Sequence, residues 1–285
     1  MNFLPFALIS YLLNSVSVTI DKILLTKTIP DPLIYIFYFS LLSFLALFGL
    51  PFTHIPSSEV IFFASVSTLF WNGAAYCMFT ALKIGQIQRV IPVIGTVTPL
   101  FLLIIASQTN AITNNQALAI VILIIGLVFL TLKDLKGKLI KKEIFLEVLS
   151  GAFFALCYHF LRMAYLKDDF LVVLVWSRLI LIPFAISFFI IPALRQRILP
   201  FFKHEKIIHK GAPLFILGQV SAGISELLLN FSIFLANPAI VNSLQGVKYV
   251  YLLLFSLILE KKYPKIYQII GISFIGAGLY LLAFT

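Results

Sequence analysis

Ala239–Glu260 reads AIVNSLQGVKYVYLLLFSLILE. It has about the length one helix needs to cross a hydrocarbon core, and it is apolar enough to do so. Lys248 nevertheless sits near its middle, the most costly depth for a charge. Asn242, Gln245 and Lys248 or Tyr249 recur at steps of three and four, so one face of the predicted helix is polar and the rest is oily. Such a face must turn toward other protein or toward a water-filled cavity. The stretch therefore predicts a helical bundle with a polar interior.

Composition points the same way. The chain is 61% hydrophobic and only 11% charged, with a mean hydropathy of +1.07, outside the usual range of soluble domains. The net charge of +10 comes mainly from basic residues in the loops between apolar runs. There they set orientation and meet anionic headgroups, so no nucleic-acid partner is implied. Cys77 and Cys157 lie inside apolar runs without metal-ligand spacing and read as core residues. No cleavable leader is expected at the start. The expectation is a multi-pass protein of the cell (plasma or inner) membrane, with the lipid bilayer as a partner and a homodimer compatible with the sequence.

Ten apolar runs are expected to span the bilayer, at residues 3–25, 31–52, 60–82, 86–106, 114–132, 144–166, 170–192, 211–235, 239–259 and 265–284. Two longer basic loops interrupt them, Lys133–Glu143 and Arg195–Lys210. The first divides the chain into two five-span halves, residues 1–136 and 137–285. Moved forward by 152 residues, Gln108 falls on Glu260, Ala119 on Gly271 and Gly126 on Gly278, and a weaker match puts Lys22 near Arg162. Two similar halves of five spans must insert in opposite orientations, the inverted-repeat plan of secondary transporters. Most of the 21 lysines and arginines fall in loops after odd-numbered spans. By the positive-inside rule, both termini then lie outside.

Several runs resemble the drug/metabolite transporter superfamily in its ten-helix, EamA-type form, over nearly the whole chain. Ala81-Leu82, Thr98-Pro99-Leu100 and Gly126 are similar to the family's small-residue turn, proline-containing fourth helix and glycine-bearing fifth. Leu259-Glu260-Lys261, Ile270-Gly271 and Gly276-Ala277-Gly278 are similar to its acidic hairpin and glycine helix. Lys22 and Arg162 match a basic position that ends the first helix of each repeat, and Arg178 matches an arginine of the second. Gln108, Tyr251 and Ser40 depart from the family's usual Glu, Pro and Arg. The resemblance implies a central cavity reached alternately from either side, no cofactor, and both termini in the cytoplasm, against the charge distribution.

Three spans carry polar stripes at helical spacing: Ser10, Asn14, Ser17 and Asp21; Asn72, Tyr76, Thr80 and Lys83; Gln219, Gly223, Glu226 and Asn230. A single serine or asparagine reads as packing glue, worth about 0.6 kcal/mol per contact. The three stripes together read as the walls of a cavity. Glu226 and Lys248 sit near mid-depth in adjacent spans and each needs a partner. They read either as a structural ion pair or as working groups, Glu226 titrating and Lys248 meeting an anionic solute. Asp21 and Arg162 read as anchors nearer a membrane face, Arg178 as a helix lock, and His159 as a core histidine or a proton relay. Trp71, beside Asn72, is expected to line the cavity and stack on a flat or cationic solute.

The expected solute site is therefore Asn14, Trp71, Asn72, Glu226, Asn242, Gln245 and Lys248, with Glu226 and His159 as candidates for proton coupling. HExxH, GxSxG and glycine-rich phosphate motifs do not occur, and of the four histidines three (His54, His204 and His209) are expected in loops. This weighs against an intramembrane enzyme, and a scaffold has no need of charge at mid-depth. The expected function is secondary transport of a small organic solute such as an amino acid or carboxylate; export of a cationic drug or metabolite, with Glu226 as counter-charge, is the alternative.

Overall fold

The computed structural model describes residues 2–27, 31–108, 112–131, 141–202, 205–260 and 263–284. The proposed boundary at residues 136 and 137, the lysines 133–138, Lys203, His204, Lys261 and Lys262 lie outside the described residues. Thirteen α-helices and one 3₁₀ segment account for nearly all of the described chain, and no strand occurs among the described residues.

Helix α1 runs Leu4–Lys27, and α2, Pro32–Leu42, continues as a 3₁₀ segment, Ser43–Phe52. They are followed by α3 (Ser58–Ile84), α4 (Ile87–Gln108), α5 (Asn114–Thr131) and α6 (Lys141–Tyr165). Then come α7 (Phe170–Leu179), α8 (Leu181–Ile190), α9 (Pro192–Phe202) and α10 (Glu205–Leu235). The last are α11 (Pro238–Ser243), α12 (Gly246–Glu260) and α13 (Ile266–Ala283).

Local chemistry sets several starts. Asp31 caps α2 by accepting from the Leu33 amide at 2.9 Å, with Pro32 in the first turn. Asn237 caps α11 through the Ala239 amide at 2.8 Å, again followed by proline. Among the described residues, seven helical stretches are long and apolar enough to cross a membrane: 4–27, 32–52, 58–84, 89–108, 141–165, 170–190 and 212–235. Residues 114–130 and 266–282 are shorter apolar helices. The exterior is greasy: Phe48, Phe52, Phe62, Leu69, Phe145 and Tyr280 are all exposed. A soluble protein does not tolerate this, but lipid solvates it. The chain is an all-helical, membrane-embedded protein.

Two predictions of the sequence are corrected here. The stretch Ala239–Glu260 is not one helix: it breaks at Leu244 and Gln245 between α11 and α12. Short-range turns bridge the break, with the Leu244 amide on the Val241 carbonyl and the Gln245 amide on the Asn242 carbonyl. Broken backbone at membrane depth survives only where protein or a wet cavity receives its freed polar groups. The expected loop Arg195–Lys210 is instead largely helical, forming α9 and the start of α10.

Serines stitch the long helices together. Ser10 and Ser225 exchange hydroxyl bonds to each other's carbonyls at 2.7 and 2.9 Å, joining α1 to α10. Ser150 donates to the Ala74 carbonyl at 2.8 Å and Ser67 to that of Cys157 at 3.0 Å, joining α3 to α6. In membranes such small polar residues let backbones approach. Helices α5 and α13 also approach backbone to backbone. A Cβ on Gly126 would lie 2.9 Å from the Gly271 carbonyl oxygen, and one on Gly271 would lie 2.8 Å from that of Gly126. Gly278 packs in the same way on Leu123 and on the Ala119 backbone. Gly126→Val should therefore cost ~1–3 kcal/mol through overpacking. Gly276→Val, where a Cβ meets nothing within 4 Å, should leave thermal unfolding nearly unchanged; equal losses in melting temperature would contradict this packing.

Candidate functional site

A cavity of about 130 Å³ lies at the centre of the bundle, between α1, α2, α3, α4, α6, α10 and α12. The stripe on α1 lines it in full: Ser10, Asn14, Ser17 and Asp21 all face it. Opposite stand Gln245 and Lys248. The Lys248 ammonium donates to Asn14 Oδ1 at 2.9 Å, and among the described residues no carboxylate lies within 4.0 Å of it. Gln245 Nε2 donates to Asn242 Oδ1 at 3.0 Å, and Asn242 Nδ2 donates back to the Pro238 carbonyl. Asn242 is thus fully buried behind Gln245, holding it from the helix break rather than lining the cavity.

The pairing of Glu226 with Lys248 is corrected. Glu226 accepts from Arg178 at 2.6 Å, the two side chains 20% and 23% exposed. The pair ties α7 to α10 at the cavity edge. The carboxylate is paired with a guanidinium. Asp21 is no surface anchor: it is 6% exposed and accepts from the Tyr35 hydroxyl. Gln219 Nε2 reaches the same hydroxyl at 3.4 Å. Helix α1 runs to Lys27, which places Asp21 well inside it.

Of the two remaining stripes, one is rotated and one points away. On α10 the cavity face is Gln219, Ala222, Ser225, Glu226 and Leu229; Gly223 turns to an outer groove and Asn230 to the Arg178 side. On α3 the cavity face is Trp71, Met78 and Phe79. Tyr76 is exposed, Lys83 is exposed, and Thr80 returns its hydroxyl to the Tyr76 carbonyl at 2.7 Å. A threonine satisfied by its own helix can face lipid. Asn72 is buried but outside the cavity lining, bonded to the Thr68 carbonyl at 3.1 Å with Oδ1 unpartnered. Trp71 lines the cavity stacked on Phe39, ring centroids 4.5 Å apart.

Arg162 and His159 border a different and larger opening of about 820 Å³ at one end of the bundle. Arg162 is not a headgroup anchor: its guanidinium donates to the Ile233 carbonyl at 2.9 Å and to that of Phe234. His159 packs edge-on against Phe160. A bond from the Tyr11 hydroxyl to the Val241 carbonyl, 2.9 Å, joins the cavity wall to the helix that begins at the large opening. At the far end, Lys22 donates to the Leu82 and Gly85 carbonyls, and Arg89 grips Glu143 with two bonds.

Sequence reasoning missed Tyr35, Tyr158, Arg89, Glu143 and Glu147. The two glutamates stand one helical turn apart, a readable signal, but Glu143 reads with Lys141 and Lys142 as loop and Glu147 as the start of the span 144–166. Arg178→Met alone should lower stability by roughly 1–3 kcal/mol, less than a fully buried pair because both groups keep some water. Adding Glu226→Gln should recover most of that loss in a double-mutant cycle of thermal unfolding; additive losses would remove the pair.

No family model matches the chain, and no curated protein matches it. A solved structure, described only as "Crystal structure of protein", aligns with a TM-score of 0.69 over 98% of this chain and 96% of its own, at 11% identity. It is among 21 matching solved chains. At that identity the likeness speaks for the fold alone.

Proposed function

We propose that the chain is a secondary transporter, carrying a small organic solute with an anionic group across the cell membrane by alternating access. The observation behind this reading is Lys248: an ammonium in a central cavity, held by a neutral amide, with no described carboxylate in contact. A charge so placed is costly unless water or an anionic ligand answers it. The aromatic and amide walls supply orientation.

The same reading makes the chain ten spans in two inverted five-span repeats, of the drug/metabolite transporter, EamA-type plan. Twin devices support it. Lys22 at the end of α1 binds carbonyls at the end of α3, as Arg162 at the end of α6 binds carbonyls at the end of α10. The shift that puts Gly126 on Gly278 also puts Ala119 on Gly271, so the Gly126–Gly271 approach becomes Gly278–Ala119, which is also observed. Helix pairs follow the same exchange: α3 packs on α6 as α1 packs on α10, while α5 packs on α13. Rocking about such a pseudo-twofold opens one end as it closes the other.

A cationic solute is the second reading, and the observation that favours it is Asp21. Its carboxylate lines the cavity and meets a tyrosine rather than a cation.

Counterflow in proteoliposomes tests the proposal. Anionic metabolites that raise the unfolding temperature should exchange labelled for unlabelled solute, and Lys248→Ala should abolish both the shift and the exchange while the protein still inserts. At a hundredfold excess over Kd the stabilisation is about 2.7 kcal/mol. An enzyme or scaffold shows no exchange; an exchange that survives Lys248→Ala but not Asp21→Asn selects the cationic reading.

A further inference from the structure

The end of the bundle opposite the large opening is shut by charge. Arg89, at the start of α4, donates Nε to Glu143 Oε1 at 2.8 Å and a second nitrogen to Oε2. Glu143 is fully buried at the start of α6. This two-pronged pair joins helices from opposite halves of the chain, where a gate of a rocking carrier would close.

Glu147 stands one turn further along α6 and is also fully buried. The Glu143 carboxyl lies beside it, close enough for a hydrogen bond between the two only if one carries a proton; Arg89 is within reach of its field, and among the described residues no other group bonds either Glu147 oxygen. From α12, the buried Tyr249 hydroxyl feels the Glu147 carboxyl and has no hydrogen-bond partner among the described residues. From α1, Lys22 acts on Glu143 through space, its ammonium engaged by two carbonyls. From α3 the titratable groups toward this end are Cys77 and the exposed Lys83. Two carboxyls thus crowd one guanidinium, and only Glu143 is paired with it. An ionised, unbonded carboxylate in a dry site is far costlier than a protonated one, and a like charge beside it adds to the cost.

The fold does not require this cluster. The shift that carries Lys22 to Arg162 carries Phe3 to Glu143 and Ala7 to Glu147, and the longer shift carries Arg89 to Val241. The equivalent positions at the other end, beside the large opening, are therefore apolar. We infer that Glu147 is a proton-binding site that governs the Arg89–Glu143 latch: it holds a proton while this end is shut and releases it to water when the end opens. The proton is taken up again from water at the same end as the latch closes, so each cycle releases and rebinds one proton there with no net movement across the membrane. The gating role rests on the carrier reading; the bound proton does not.

Infrared absorption of the full chain in lipid vesicles tests this without a solute. At neutral pH the wild type should show a protonated-carboxyl C=O band that Glu147→Gln lacks. Glu143→Gln should lose it too, because Arg89, released from its partner, would ionise Glu147. Retention of the band in Glu147→Gln overturns the site; its retention in Glu143→Gln overturns the link to the latch. If Glu147→Gln fails to insert, Glu143→Gln decides alone by the same rule. A band that behaves as expected in a protein silent in counterflow would overturn the carrier reading and leave the proton site standing.

Discussion

Charge that cannot reach water has to be answered by protein, and this demand shapes the bundle. Lys248 turns inward onto Asn14, Glu226 onto Arg178, Arg89 onto Glu143, and Asp21 receives Tyr35. The outward faces of the same helices carry Ile9, Phe145, Val220, Ile224 and Leu227. Hydrocarbon offers no hydrogen bond, so a helix carrying a single inward charge is fixed in rotation about its own axis. The cavity is what remains when several such helices turn their polar faces to one centre.

Backbone follows the same rule. The chain departs from regular α-helix at Ser43, at Ile180 and at Leu244–Gln245. The last break lies beside the central cavity, where the Asn242 and Gln245 amides bond to each other and to the chain behind them. At the helix ends, carbonyls without intrahelical partners are answered by Lys22 and Arg162. These long side chains thus secure contacts between helices as well as neutralising dipole ends.

The class of fold and much of the cavity were legible because period and depth are written along a single helix. The α1 stripe could be read in full, since steps of three and four set Ser10, Asn14, Ser17 and Asp21 on one face. What one helix cannot reveal is its rotation against its neighbours. Asn72 and Trp71 are adjacent, so about 100° separates them on the helix, and only Trp71 reaches the cavity. Glu226 was found, but its partner came from α7 rather than from the next span. Asp21 was set too near a face because the helix runs further than its apolar core. The break falls in Asn242–Gly246, whose polar residues read as one helical stripe and whose glycine reads as tolerated within a helix.

The inward turn of α10 is open to direct test with a membrane-impermeant thiol reagent, which modifies thiolate only where water reaches it. On a background with Cys77 and Cys157 replaced, single cysteines would be placed at Ala222, which lines the cavity, and at Ile224, which is exposed on the bundle's outer face. In sealed vesicles the account predicts modification at position 222 and none at 224. Modification at 224 with an inert 222 would put the water on the wrong side of the helix and contradict the hidden, hydrated centre on which every other part of the structure depends.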